Sequence, residues 1–318
     1  MQAVAFNGTF GGYLKRMSGF VLLGVGLPLV IAMMVFGALK TAGLEPSIIF
    51  KENILTALAT LRENPTLLLL LILWSFVVLP FSFSWFYHIL IRYFVGASRL
   101  DRHQLRFTGR MGGLIRIYFI IWGMNILAGL VVAPFAAFPV SAKIFSAMTQ
   151  AILGATLSHY WLKWGVSHVV VEKSSADLVY RGRWGDIFNI YALYVMPFHI
   201  INNLFFAEAT PILRFLMLVM GGIFLLYWVM KQMVGFITYG KHPLQWRASI
   251  KWPFRLIGFT VIYAVVIFIP IVIFILLVGE AVLDIFVVFP FSTLILAWWI
   301  YAIARWTIMA IHYEEIPN

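Results

Sequence analysis

Apolar residues in this chain run in blocks of about twenty, broken by short polar segments in which the basic residues collect. A membrane-spanning helix needs about 20 such residues. The pattern predicts eight of them, near 17–38, 66–91, 114–137, 144–163, 187–206, 212–233, 255–279 and 283–308. The first block is too long for the apolar part of a cleaved signal peptide and lacks a small-residue cleavage site. Between the first two spans, residues 39–65 carry a different pattern. Phe50, Ile54, Leu58 and Leu61 share one helical face, and Glu52, Thr56, Thr60 and Glu63 share the opposite one. Residues 46–65 therefore read as an external amphipathic helix, lying either on the membrane surface or against the outer ends of the spans.

Charge orients the spans. Sorted by loop, eighteen of the 23 Lys and Arg residues fall on the side of the N-terminus and five on the other. The excess of basic residues marks the cytoplasmic side, so both termini are expected in the cytoplasm of a bacterial inner membrane. The acids divide evenly and do not enter the rule. Composition agrees: 63% of the 318 residues are hydrophobic, only 11% are charged, and mean hydropathy is +0.95. A soluble enzyme could not build a water-facing surface from so few charges. The absence of Cys excludes disulfides, thiolate metal sites and thiol catalysis. The net charge of +11 is accounted for by topology, so no nucleic-acid partner is expected.

One motif recurs before each odd-numbered span. An aliphatic residue is followed two places later by an aromatic: Val4/Phe6, Leu105/Phe107, Leu178/Tyr180 and Leu244/Trp246. Two further on stands Gly8, Gly109, Gly182 or Ala248. Period 2 predicts a strand with one buried face. The glycine predicts either a positive φ or a close backbone approach. Even-numbered spans also end alike, on Arg92, Lys163, Lys231 and Arg305, with His88, His159, Tyr227 and Tyr301 one turn earlier. The β-prone runs Tyr93-Phe-Val, Val169-Val-Val, Gly235-Phe-Ile-Thr-Tyr and Thr307-Ile-Met-Ala-Ile follow. Each junction thus reads as a small cytoplasmic β-hairpin joining repeated helical hairpins. The repeats fall near 1–98, 99–173, 174–240 and 241–318 of a single membrane domain. The chain begins with an unpaired second strand and ends with an unpaired first strand, so residues 2–6 and 307–313 are expected to pair.

The stretch Arg92-Tyr-Phe-Val-Gly-Ala-Ser-Arg-Leu-Asp-Arg-His-Gln-Leu-Arg-Phe-Thr-Gly resembles the signature of the YjgN-type bacterial inner-membrane proteins. Phe6-Asn-Gly-Thr and Tyr180-Arg-Gly-Arg are similar to that family's repeats. Arg102 departs from the pattern, where a glycine is usual, as do the 39–65 loop and the weak fourth copy. The resemblance implies a multi-pass protein without assigned activity, and hints at a membrane metallopeptidase as partner.

Few residues suggest chemistry. His88, His159, Tyr227 and Tyr301 read as a repeat-equivalent ring of polar aromatics at the interface, and no spacing supports a metal centre. His199, with Asn202 and Asn203 one turn on, is a candidate intramembrane polar site; helix–helix hydrogen bonding or snorkelling competes with that reading. Glycine-rich turns open the odd-numbered spans, and Arg110, Arg183, Arg116 and Lys15 beside them are candidate contacts for anionic lipid. Tight turns with ordinary interfacial arginines are the alternative. No Asp or Glu stands at mid-membrane depth, which weighs against coupled transport, and no nucleophile–base set is visible. The expected function is a non-catalytic scaffold or accessory subunit engaging lipid or a protein partner, without cofactors. A channel or uncoupled transporter with its path along the repeat axis is the alternative.

Overall fold

Long apolar helices alternate with short strands, and the strands bring distant segments together. The protein is represented by a computed structural model that describes residues 2–20, 65, 69, 72–135, 138–205, 211–262 and 289–313. Strands β1 (Gln2–Ala3) and β2 (Ala5–Phe6) lead into α1 (Phe10–Gly19). Next come α2 (Leu79–Gly96), β3 (Ser98–Leu100), β4 (His103–Phe107), α3 (Met111–Val132), α4 (Pro139–Ser167), β5 (Val169–Val171) and β6 (Leu178–Tyr180). After them run α5 (Trp184–Ile190), α6 (Met196–Phe205), α7 (Pro211–Met233), β7 (Ile237–Tyr239), β8 (His242–Pro243) and β9 (Gln245–Trp246). Helix α8 (251–262), α9 (Phe289–Met309) and β10 (Ile311–Tyr313) complete the order. The expected 46–65 helix, most of the first span and parts of the second, seventh and eighth lie outside the described residues.

Among the described residues, three helical stretches are long and apolar enough to cross a membrane: Phe76–Gly96, Met111–Phe135 and Val140–Ser167. On α3, Leu127 and Leu130 are more than 60% exposed, which water would penalise and hydrocarbon does not. Single π-helical turns precede two prolines, Trp74–Val78 before Pro80 and Tyr191–Val195 before Pro197. Proline has no N–H and crowds the carbonyl four residues back. One widened turn at that place absorbs the clash and lets the helix continue.

The chain divides into two compact units. One comprises Gly11–Ile91 and Arg110–Phe119. There Phe20 packs on Trp85 and Phe86, Phe83 meets Tyr118, and Tyr13 and Leu114 are fully buried. The other comprises Met1–Phe10, Arg92–Gly109 and Ile120–Asn318, and holds all ten described strands.

Within that second unit the strands form an almost unbroken cycle of antiparallel pairings. β2 pairs with β3, β3 with β4 and β4 with β5. β6 pairs with β7, β7 with β8, and β9 with β10. Leu244 donates its amide to Ile237 O at 2.7 Å, so β8 and β9 are two parts of one segment. The termini do pair: Gln2 faces Tyr313 and Ala3 faces His312, and the Val4 amide extends the contact to Ile311 O at 2.8 Å. Between β5 and β6 no ladder forms. The expected hairpin at that junction is therefore absent, its residues bonding instead to β4 on one side and β7 on the other.

Two other expectations need correction. Tyr93-Phe-Val is helix, not strand. Tyr93 and Phe94 are 6% and 4% exposed, and this burial holds the helix open to Gly96 despite β-prone residues. Strand structure begins only at Ser98, whose hydroxyl donates back to Phe94 O. Likewise Thr307–Met309 remain in α9, and only Ile311–Tyr313 extend. The two tight hairpin turns each start with positive φ, 56° at Asp101 and 59° at Gly240, as two-residue loops require.

A single apolar cluster fills the space enclosed by these pairings. Val4, Leu100, Leu105, Val171, Tyr239, Leu244 and Tyr313 are all 8% exposed or less, and Leu178 packs against them. The aliphatic position of all four motif copies therefore points into one core.

Candidate functional site

The turns from strand to helix are built by the aromatic of each motif. Residues i and i+2 share a strand face, so the aromatic side chain can fold over the residue two places on. A Cβ at Gly8 would lie 2.5 Å from the Phe6 ring, and one at Gly182 would lie 2.5 Å from Tyr180 Oη. At Gly109 the Phe107 ring occupies the same place. The glycines are thus required by close approach. Positive φ is not the reason, since Gly240 alone among the described glycines has it. The fourth copy differs: Ala248 carries a methyl, and the Trp246 ring packs instead on Trp252, 5.7 Å between centroids.

Polar aromatics near the ends of α2, α4, α7 and α9 tie these turns down. Tyr301 Oη donates to Gly8 O at 2.8 Å, and Tyr227 Oη donates to Ala248 O at 3.1 Å. His159 Nδ1 and Tyr180 Oη share a hydrogen bond of 3.2 Å. Tyr93, which sequence reasoning placed in a strand, donates to Thr9 O at 2.5 Å. Burial and the Asp186 charge push the Tyr180 phenol up to about 12, because both disfavour phenolate. His88 stands half-buried on α2, in the other unit.

The basic residues expected to meet lipid are exposed, and their turns differ. Lys15, Arg110 and Arg116 project from α1, the residue before α3, and α3. Arg183 precedes α5, but its amide donates to Asp186 Oδ2 at 2.9 Å. That carboxylate supplies the negative charge a helix start attracts, leaving less attraction for an outside anion.

The residues expected to lie within the membrane separate. His199 lines a cleft of about 470 Å³ together with Asn125, Gln150 and Tyr191, between α3, α4, α6 and α7. Tyr191 bonds Ser158 at 2.7 Å, and its ring lies over Gly154. Asn202 is buried away from that lining, its Oδ1 without a partner among the described residues. The side chain of Asn203 lies outside the described residues. Asn125 and Gln150 were missed in the sequence, although each is a polar interruption in an apolar run. Among the described residues no group of three His, Asp or Glu stands close enough to hold a metal.

Set against family models, curated proteins and solved structures, the chain matches none.

Proposed function

We propose that this chain is a non-catalytic membrane scaffold or accessory subunit, built from four helical-hairpin repeats with eight spans and both termini cytoplasmic. The observation that carries the reading is the filled strand cycle. A solute path along the repeat axis would have to cross Leu100, Leu105, Val171, Tyr239 and Tyr313, all buried in one apolar cluster. Packed apolar interiors admit neither water nor ions without rearrangement.

The repeat reading draws support from position-matched contacts. Tyr227 and Tyr301 occupy equivalent helix ends and donate to the equivalent carbonyls of Ala248 and Gly8. Such a scaffold would engage lipid or a protein partner. A membrane metallopeptidase partner follows from the YjgN-type resemblance alone.

The cleft beside His199 favours the alternative, a channel or uncoupled transporter. Asn125, Gln150 and His199 lie at similar depth, each about 21–25 Å along its helix from the strand end. Nearer the strand end the lining is Leu157, Val229 and Tyr191, whose hydroxyl is taken up by Ser158.

Reconstitution into liposomes tests the choice. Ion and small-solute flux should equal that of empty vesicles, and flux above that level removes the scaffold reading. Reporter fusions after Lys40, Lys143, Glu208 and Glu280 should all score external. One cytoplasmic score would remove a span.

A further inference from the structure

Of the four strand-to-helix turns, the least regular in sequence has a cavity beside it. About 290 Å³ in volume, it is lined by Ser249, Lys251, Trp252, Arg255, Trp306 and Met309 among others. Lys251 and Arg255 are four residues apart on α8 and so share a face. Both are exposed, and neither has an ion-pair partner among the described residues. In the whole sequence no Asp or Glu occurs between Glu208 and Glu280. The turn therefore has no acid of its own, whereas Asp186 serves the turn at Gly182.

A second observation is independent of charge. Trp252 is only 7% exposed, and its indole Nε1 is buried without a hydrogen-bond partner among the described residues. A buried donor left unpaired is costly and calls for an acceptor. The ring is held between Trp246 and Tyr227, at centroid distances of 5.7 and 6.3 Å. The helix start itself contributes little. The amides of Lys251 and Trp252 are taken by Ser249 Oγ and O, at 3.3 and 2.8 Å, and Pro253 has none.

We infer that this cavity binds the phosphate of an anionic phospholipid headgroup. Lys251 and Arg255 neutralise the charge, the Trp252 N–H donates to a phosphate oxygen, and Trp306 and Met309 line the apolar side. Two cations with interfacial indoles recognise phosphate on a lipid in this way. The inference rests on the proposed topology, which puts the strand end at the cytoplasmic interface. It needs neither the scaffold nor the channel reading.

The full chain in nonionic detergent, titrated with phosphatidylglycerol or phosphatidylcholine and followed by native mass spectrometry, tests the site. One phosphatidylglycerol should bind at least about tenfold tighter than phosphatidylcholine. The Lys251→Ala/Arg255→Ala double variant should bind both lipids alike. Trp252→Phe, which keeps a ring and removes the N–H, should weaken phosphatidylglycerol several-fold. Lys15→Ala/Arg116→Ala should leave that preference unchanged. Equal binding of the two lipids by the unaltered chain overturns the proposal, as does a preference that survives in the double variant. Inorganic phosphate binding as well as phosphatidylglycerol overturns the lipid assignment. Should the double variant fail to fold, the unaltered chain and Trp252→Phe still decide. A chain that conducts ions but keeps its lipid would lose the scaffold reading and retain this site.

Discussion

The turn at Gly182 and the turn at Ala248 follow the same motif and end in opposite electrostatic states. Both lead from a short strand into a helix, and both have basic residues beside them. At Gly182 the aromatic folds over a bare Cα, and Asp186 answers the helix start from inside the turn. At Ala248 a methyl stands at the glycine position, and Trp246 packs on Trp252. There Lys251 and Arg255 meet no acid among the described residues. A basic residue at a helix start is therefore not sufficient to make an anion site. A carboxylate inside the turn answers the charge at Gly182, whereas the cavity and the unpaired Trp252 N–H set the turn at Ala248 apart from those at Gly8 and Gly109, which have no acid either.

The largest test of this comparison is steric. Gly109→Ala should drive the Phe107 ring off its seat and destabilise the protein by about 1–3 kcal/mol, the usual cost of overpacking. Ala248→Gly, at the equivalent position without such a ring, should cost only about 0.5–1 kcal/mol through added backbone freedom. Denaturation midpoints in detergent would measure both. A gain in stability for Ala248→Gly would mean that the Trp246 ring presses on position 248 and that the fourth turn is built like the others.

Tyr301→Phe comes next. It removes the donor to Gly8 O while keeping the ring, which packs on Phe10 and Phe6. A hydrogen bond of this kind contributes about 1 kcal/mol, and Tyr227→Phe should lose a similar amount at Ala248. A loss at one position alone would break the equivalence of the two helix ends.

Much of this arrangement was legible in the sequence. The aliphatic–aromatic–glycine spacing located β2, β4, β6 and β9, because period 2 and a bare Cα leave direct marks on residue choice. Pairing of the termini followed from the count of unpaired strands. The partner strands were misplaced at Tyr93 and Thr307; at Tyr93 and Phe94 burial against distant segments kept β-prone residues helical. Local propensity cannot register that. The cleft at His199 was only partly legible, since its gathering of Asn125 and Gln150 depends on which helices face one another. Lys251 and Trp252 were passed over because their turn departs from the motif, and the cavity lies beside that turn.

Asp186→Asn sharpens the electrostatic half of the comparison. Loss of the charge at the start of α5 should cost about 0.5–1 kcal/mol. It should also raise phosphatidylglycerol binding to the Lys251→Ala/Arg255→Ala background, since the turn at Gly182 would then lack its own anion. Unchanged binding there would show that the carboxylate does not exclude the lipid.

The smallest effect concerns Tyr180, which Asp186 also influences. Burial first, and then the nearby carboxylate, push its phenol up to about 12, against about 10 in the unfolded chain. The folded state thus holds the proton more tightly than the unfolded state does. The resulting contribution to stability is fully present below pH 10. Above that, the unfolded chain begins to lose its proton while the folded one keeps it, and the contribution is gone once pH has passed about 12. Unfolding followed across this window should show a fall in stability that is smaller in Tyr180→Phe. In Asp186→Asn the fall should end at lower pH, since the secondary cause is removed and burial remains. If the substitution leaves the window unmoved, burial accounts for the whole shift, and the carboxylate acts on the helix start alone.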